Sequence, residues 1–200
     1  MEPKMKSTSK QSPTPFDGAS SNAPAQLFPI HPSQFPKKHP RYDNRNALIL
    51  GAGRSGLAAA RLIQARGGRA AVVDAAWKAE ALKTFAQEGF RCLAVDHSHL
   101  PDGDYDLVVA SPSIPLTHPW IRIARDRGLA LISELELGSV YWCGESVAIT
   151  GSKGKSSVVK CLTDTLTRAG RRAVTAGNYG TPLSARVLEC PDFGAGTLAV

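Results

Sequence analysis

A chain of 200 residues holds one ordinary domain, or a small domain and part of another, and its 42% apolar and 6% aromatic content fits a globular α/β protein. Seven Lys/Arg and three Asp/Glu put +4 of the formal +7 charge in residues 1–45, and the remaining +3 on residues 46–200 is too little to argue for a nucleic-acid partner. No run approaches the ~18 apolar residues of a membrane span, and the N-terminus lacks the apolar stretch of a signal peptide. The four cysteines, Cys92, Cys143, Cys161 and Cys190, are too scattered for a metal knuckle. Together these features read as a cytoplasmic protein with buried, reduced thiols and no membrane insertion.

Residues 1–45 hold eight of the fourteen prolines, with Ser, Gln, Asn and Lys filling much of the rest. Such a segment buries too little apolar surface to offset its ordering entropy, so a disordered, partly polyproline-like arm is expected. A partner-docking role around Leu27, Phe28, Pro29 and Ile30 is the functional alternative.

From Asn46 short apolar runs alternate with helical segments. Residues 47–50 read as a strand, 55–65 as a helix, 70–74 as a strand, 78–88 as a helix, 91–95 as a strand and 106–110 as a buried strand. After a proline-rich loop come a helix over 120–127, a strand over 130–132 and a short helix over 134–141. Short apolar strands separated by helices imply a parallel sheet covered on both faces: an α/β, Rossmann-like, doubly wound domain over 46–143. A second unit over 144–200 opens with a strand at 146–150. It continues with a helix at 155–169, a strand at 173–175, a helix at 183–188 and a strand at 197–200. That order reads as the truncated start of a P-loop-type α/β ATPase domain.

Two glycine loops carry the chemistry. Gly51-Ala52-Gly53-Arg54-Ser55-Gly56 follows the first strand and opens the first helix, and Asp74 ends the next strand. Glycines there permit a tight turn, close approach of a diphosphate and close helix–strand packing. The helix start adds free N–H groups, and Asp74 is placed to accept hydrogen bonds from a ribose or base. This loop alone does not distinguish NAD from a UDP-sugar. The second loop, Gly151-Ser152-Lys153-Gly154-Lys155-Ser156-Ser157, also stands between an expected strand and a helix. Its consecutive N–H groups suit an anion, Lys155 can reach outer phosphates, and the Ser156 hydroxyl can ligate Mg²⁺. Ile149 stands where the longer P-loop pattern has glycine, so this is the shorter G-x-x-G-K-S form. Two phosphate sites in succession favour a phosphorylated substrate on the first unit and ATP on the second, an arrangement for activating a carboxylate by phosphoryl transfer. An NAD-linked oxidoreductase and a non-catalytic nucleotide-binding remnant are the competing readings.

The motif order Gly51-x-Gly53-x-Ser55-Gly56, Ser111-Pro112-x-Ile114, Glu134-x-Glu136-Leu137, Ile149-Thr150-Gly151-x-x-Gly154-Lys155-Ser156 and Gly177-Asn178-x-Gly180-x-Pro182 resembles the Mur ligases of peptidoglycan synthesis. Within them it is most similar to the branch that adds D-glutamate. The resemblance implies joining of D-glutamate to UDP-MurNAc-L-alanine through an acyl phosphate, with ATP and Mg²⁺, in the cytoplasm, by an enzyme that is monomeric at full length. It implies that Arg54, Ser55 and Asp74 line the UDP site with Ser111 and Pro112 by the diphosphate. Gly151, Ser152, Lys153, Gly154, Lys155, Ser156 and Ser157 would cradle ATP, with Ser156 on the metal, and Lys155 and Asn178 would act at the reacting phosphate. Lys153, Ser113 and Tyr179 depart from the family's usual residues, and Ala75 and Ala76 replace its usual polar neighbours of Asp74. The family continues beyond a strand like 197–200 to further metal-binding and substrate-orienting residues and a third domain. Residues 1–200 alone are therefore expected not to turn over.

Overall fold

The computed structural model describes residues 42–190 and the backbone of Leu198–Ala199. Residues 1–41 of the arm expected over 1–45, with the Leu27–Ile30 segment, lie outside the described residues, as do Thr197 and Val200. Within the unit formed by residues 38–200, the elements are β1 (Asn46–Leu50), α1 (Arg54–Ala65), β2 (Arg69–Asp74), α2 (Ala79–Gln87), β3 (Arg91–Ala94), β4 (Leu107–Ala110), α3 (Pro119–Asp126), β5 (Ala130–Ser133), α4 (Glu134–Tyr141), α5 (Lys155–Arg168), β6 (Ala173–Val174), α6 (Leu183–Glu189) and β7 (Leu198–Ala199).

The first five strands form one parallel sheet in the order β3-β2-β1-β4-β5. Strand periodicity sends alternate residues to opposite faces, and both faces are covered. Ala47, Ile49, Val72, Leu107 and Val109 join a core with α1, Phe85 of α2, and α4 and α6. Leu48, Leu50, Ala71, Val73 and Val108 join a second core with Leu100, Tyr105 and Trp120, Ile121 and Ala124 of α3. Burial on both sides explains why β1 and β4 are almost purely apolar. The chain steps outward from β1 to β2 and β3, then returns to place β4 on the other side of β1. The carboxyl ends of β1 and β4 therefore flank a topological switch point.

The helix starts follow local chemistry. Ser133 caps α4, its hydroxyl accepting the Glu136 N–H at 3.1 Å. His118 caps α3, Nδ1 accepting the Trp120 N–H at 3.2 Å, and Pro119 occupies the first helical turn, where its missing N–H costs nothing.

Four expectations change. Residues 42–45, assigned to the arm, are tied to the core: Tyr42 is buried in it and its N–H donates to the Tyr141 hydroxyl at 2.9 Å, while Asn44 and Arg45 are exposed. Asp43 holds Arg66 at 2.8 Å and accepts from the Tyr141 hydroxyl at 2.9 Å. Their polar neighbours hid one large aromatic anchor. The strand expected over 146–150 is not formed across residues 147–150. A strand needs a hydrogen-bonded neighbour, and the second sheet consists, among the described residues, of the two-residue strands β6 and β7, paired Ala173↔Leu198 and Val174↔Ala199. Val147 and Ile149 instead pack with Val159 of α5 in a small separate cluster. α6, read as part of the second unit, buries Leu183 and Val187 in the core shared with α1 and α4. All four cysteines are free, but Cys143 and Cys161 are exposed rather than buried.

Candidate functional site

The first glycine loop uses each of its three glycines differently. Gly51 turns the chain out of β1 with φ +96°, a conformation L side chains rarely adopt, while its N–H continues the sheet to the Val73 carbonyl at 2.8 Å. Gly56 lies in α1 against the loop's own backbone; an added Cβ would sit 2.0 Å from the Gly51 carbonyl oxygen. Gly53 is exposed, adopts φ −83° and would place a Cβ in open space. Its smallness is unused inside the protein and is available for close approach of a ligand. α1 has no side-chain cap and no acidic residue in its first turn. Its leading N–H groups therefore present partial positive charge to the same space.

Asp74 is engaged within the fold. One carboxylate oxygen accepts the Ala52 N–H at 2.7 Å and the other the Ala76 N–H at 2.9 Å. The side chain thus ties the glycine loop to the end of β2, and only its remaining lone pairs are left for a ribose. Ser111, buried beyond β4, donates to the Gly51 carbonyl at 3.3 Å and fixes the turn from the other strand.

These loops open into a cleft of about 260 Å³ lined by Gly53, Arg54, Ser55, Ser111, Pro112, Ser113, Gly177, Asn178, Gly180 and Pro182. Four of the five residues expected at the UDP site, Arg54, Ser55, Ser111 and Pro112, therefore share one cavity with Asn178. Asp74 supports that cavity without lining it. Gly177, Gly180, Pro182 and Ser113 were not singled out as site residues, although the glycine spacing around Asn178 was a usable signal. Gly177 and Gly180 take φ of +91° and +95°, and the Gly177 N–H donates to the Thr181 carbonyl at 3.0 Å. The sequence around Asn178 thus folds into a closed turn.

A larger cleft, about 390 Å³, lies at the opposite end of the sheet and is lined by residues including Gln64, Gly68, Gly89 and Phe90. Arg69 and Arg91 also line it, but it is faced by the carboxyl ends of α1 and α2, whose last carbonyls are largely taken up by the following backbone N–H groups. The smaller cleft lies at the switch point, where the start of α1 offers uncapped N–H groups beside Arg54.

The second glycine loop does not line either cleft. Gly151 to Ser157 are all exposed. Gly154 takes φ +77° as the N-cap of α5, which has no side-chain cap and no acid in its first turn. Lys155 Nζ folds back to the Gly151 carbonyl at 2.5 Å, which holds the cation beside the loop. Ser156 offers one hydroxyl at the helix start. Among the described residues no group of three His, Cys, Asp or Glu could hold a metal by itself, and no helix is long and apolar enough to cross a membrane.

Residues 45–133 match the family model described as Mur ligase MurD-like, N-terminal domain. This segment belongs to the Mur ligase family. It is 33% identical over 141 residues to the UDP-N-acetylmuramoylalanine–D-glutamate ligase of Koribacter versatilis, covering 69% of this chain and 31% of that relative. It is 40% identical over 163 residues to the enzyme of the same name from Frankia casuarinae, covering 76% of this chain and 33% of that relative. A solved murein peptide ligase from Psychrobacter arcticus is 20% identical, with a TM-score of 0.47, covering 78% of this chain and 37% of its own. The chain thus spans about a third of the length of the curated relatives it matches.

Proposed function

We propose that these residues form the substrate-binding domain, and the start of the ATP-binding domain, of a cytoplasmic ligase that joins D-glutamate to UDP-MurNAc-L-alanine. The observation that carries the reading is the single cleft shared by Arg54, Ser55, Ser111 and Asn178. A diphosphate at the start of α1 would meet free N–H groups, the Arg54 guanidinium and no obstructing Cβ at Gly53. Asp74 and Ser111 keep the Gly51 turn in place so that these donors need no reorganisation.

In the reaction a substrate carboxylate oxygen attacks the γ-phosphorus of ATP, giving an acyl phosphate and ADP. The amine of D-glutamate then attacks the acyl carbon, the carbon–oxygen bond to phosphate breaks, and the nitrogen loses a proton. On this reading Gly151, Ser152, Lys153, Gly154, Lys155, Ser156 and Ser157 hold the triphosphate, Lys155 neutralises its outer charge, and Asn178, which lines the substrate cleft, contacts the bound substrate there and orients the reacting phosphate. Mg²⁺ bound to the phosphates would neutralise charge during transfer. The Ser156 hydroxyl is a hard oxygen donor suited to it, with phosphate, water and other oxygens completing the set. The contribution of the residues described is positioning and charge stabilisation, the main demands of phosphoryl transfer.

Thermal-shift measurements with UDP-MurNAc-L-alanine, UDP and NADH test the assignment of the cleft. Stabilisation by the UDP compounds is expected. Stabilisation by NADH alone would reverse the choice in favour of an oxidoreductase.

A further inference from the structure

Glu134 is the most deeply buried charged side chain among the described residues, at 1% exposure, and the roles above do not use it. It opens α4, yet its carboxylate serves another helix: Oε1 accepts the Ser184 N–H at 2.7 Å. The contact is reciprocal, since the Ser184 hydroxyl donates to the Glu134 backbone carbonyl at 3.3 Å. Ser184 is itself fully buried in the first turn of α6. That helix begins at Pro182, which has no capping side chain, so a carboxylate from α4 takes the place of its own cap. Gly138, one turn along α4, lets the helices meet; an added Cβ would lie 2.8 Å from both the Leu183 side chain and the Ser184 nitrogen.

The turn that carries Asn178 is tied to α6. Pro182 joins them directly, Arg186 Nε donates to the Thr175 carbonyl at 3.0 Å, and the Gly177–Thr181 hydrogen bond closes the turn. Where α6 sits on α4 therefore decides where Gly177, Asn178 and Gly180 meet Arg54 and Ser111 in the cleft.

We propose that Glu134 is a positioning residue for this cleft: by holding the first turn of α6 it sets the Asn178 turn against the first glycine loop. The inference rests on the cleft being the UDP-substrate site. Its requirement is for an oxygen acceptor at the Oε1 position, which glutamine also supplies. Glu134→Ala leaves the Ser184 N–H buried without a partner, whereas Glu134→Gln keeps it satisfied.

The experiment is a calorimetric double-mutant cycle on the chain, titrated with UDP-MurNAc-L-alanine. Glu134→Ala is expected to weaken binding about tenfold, the scale of one lost buried hydrogen bond, and Glu134→Gln to bind within about twofold of the parent. Asn178→Ala should weaken binding in the parent and have little further effect in the Glu134→Ala background, because the turn is already unheld. Gly138→Ala, which displaces α6 from the other side, should reproduce the Glu134→Ala loss. Additive effects of Glu134→Ala and Asn178→Ala would overturn the positioning role even if the fold is weakened. Binding by Glu134→Ala equal to the parent would do the same. If Glu134→Ala does not fold, the Gly138→Ala and Asn178→Ala pair supplies the same cycle. No binding by the parent would remove the underlying assignment of the cleft, and the inference with it.

Discussion

Substituting Gly53 and Gly56 separately should divide the two jobs of the first loop. At Gly56 an alanine Cβ would stand 2.0 Å from the Gly51 carbonyl oxygen, where real Cβ contacts essentially never fall below 3.0 Å. The obstacle is backbone, so α1 and the end of β1 must separate by about 1 Å. Neither moves freely: Gly51 is bonded to Val73, and α1 buries Ala59, Ala60, Leu62 and Ile63 in the core. Overpacking of this kind costs about 1–3 kcal/mol, and a rigid neighbour puts Gly56→Ala near the upper end. For a unit of this size that corresponds to a fall in Tm of roughly 5–10 °C. Gly53→Ala meets nothing within 4 Å and keeps an ordinary φ of −83°. It should melt within about 2 °C of the parent yet bind UDP-MurNAc-L-alanine more weakly, since its methyl group occupies the ligand's side of the loop. Differential scanning fluorimetry and calorimetric titration read the two effects. A parent-like Tm for Gly56→Ala, or a large loss of stability in Gly53→Ala, would refute the division.

Lys155→Ala removes an exposed side chain whose described contact is with Gly151, so ATP affinity should fall at least about tenfold with little change in Tm. Equal ATP affinity by calorimetry would sink the phosphate-loop assignment. Truncation through residue 45 should destabilise by about 3 kcal/mol relative to truncation through residue 41, because it strips Tyr42 and Asp43 from Tyr141 and Arg66. Equal urea midpoints for the two truncations would contradict the packing described. Burial holds the Glu134 carboxyl above the usual carboxylate range. The folded state therefore binds that proton more tightly than the unfolded chain does. The associated stability is complete below the ordinary glutamate range and is lost as pH rises through the raised value. Urea unfolding from about pH 4 to about pH 8 should show Glu134→Gln gaining on the parent as pH rises, and a pH-independent difference would contradict the shift.

The Rossmann-like sheet was legible because its strands are short, apolar and buried on both faces, and each expected element from 47 to 141 appears within a few residues of its place. The glycine loop was legible in the same way, since Gly51 needs its positive φ and Gly56 its close approach to the Gly51 carbonyl, whereas no contact within the fold requires Gly53. The anchoring of Tyr42 was hidden because one buried aromatic in a proline- and lysine-rich context has no periodicity to reveal it. The strand expected over 146–150 failed for the complementary reason: an apolar run records burial, but a ladder depends on neighbours the run itself cannot specify. Asp74 shows a third limit. Its position at the end of β2 was readable, but its choice of Ala52 and Ala76 as partners arises only when loop and strand are packed together. The same holds for Glu134 and Ser184, fifty positions apart and joined by two hydrogen bonds.

The most direct measurement is calorimetric titration of the chain with UDP-MurNAc-L-alanine and, separately, with NADH, each repeated on Arg54→Ala. The account predicts one site for the UDP compound, weakened in Arg54→Ala, and no saturable binding of NADH. A single NADH site sensitive to Arg54→Ala, with no heat from the UDP compound, would contradict it.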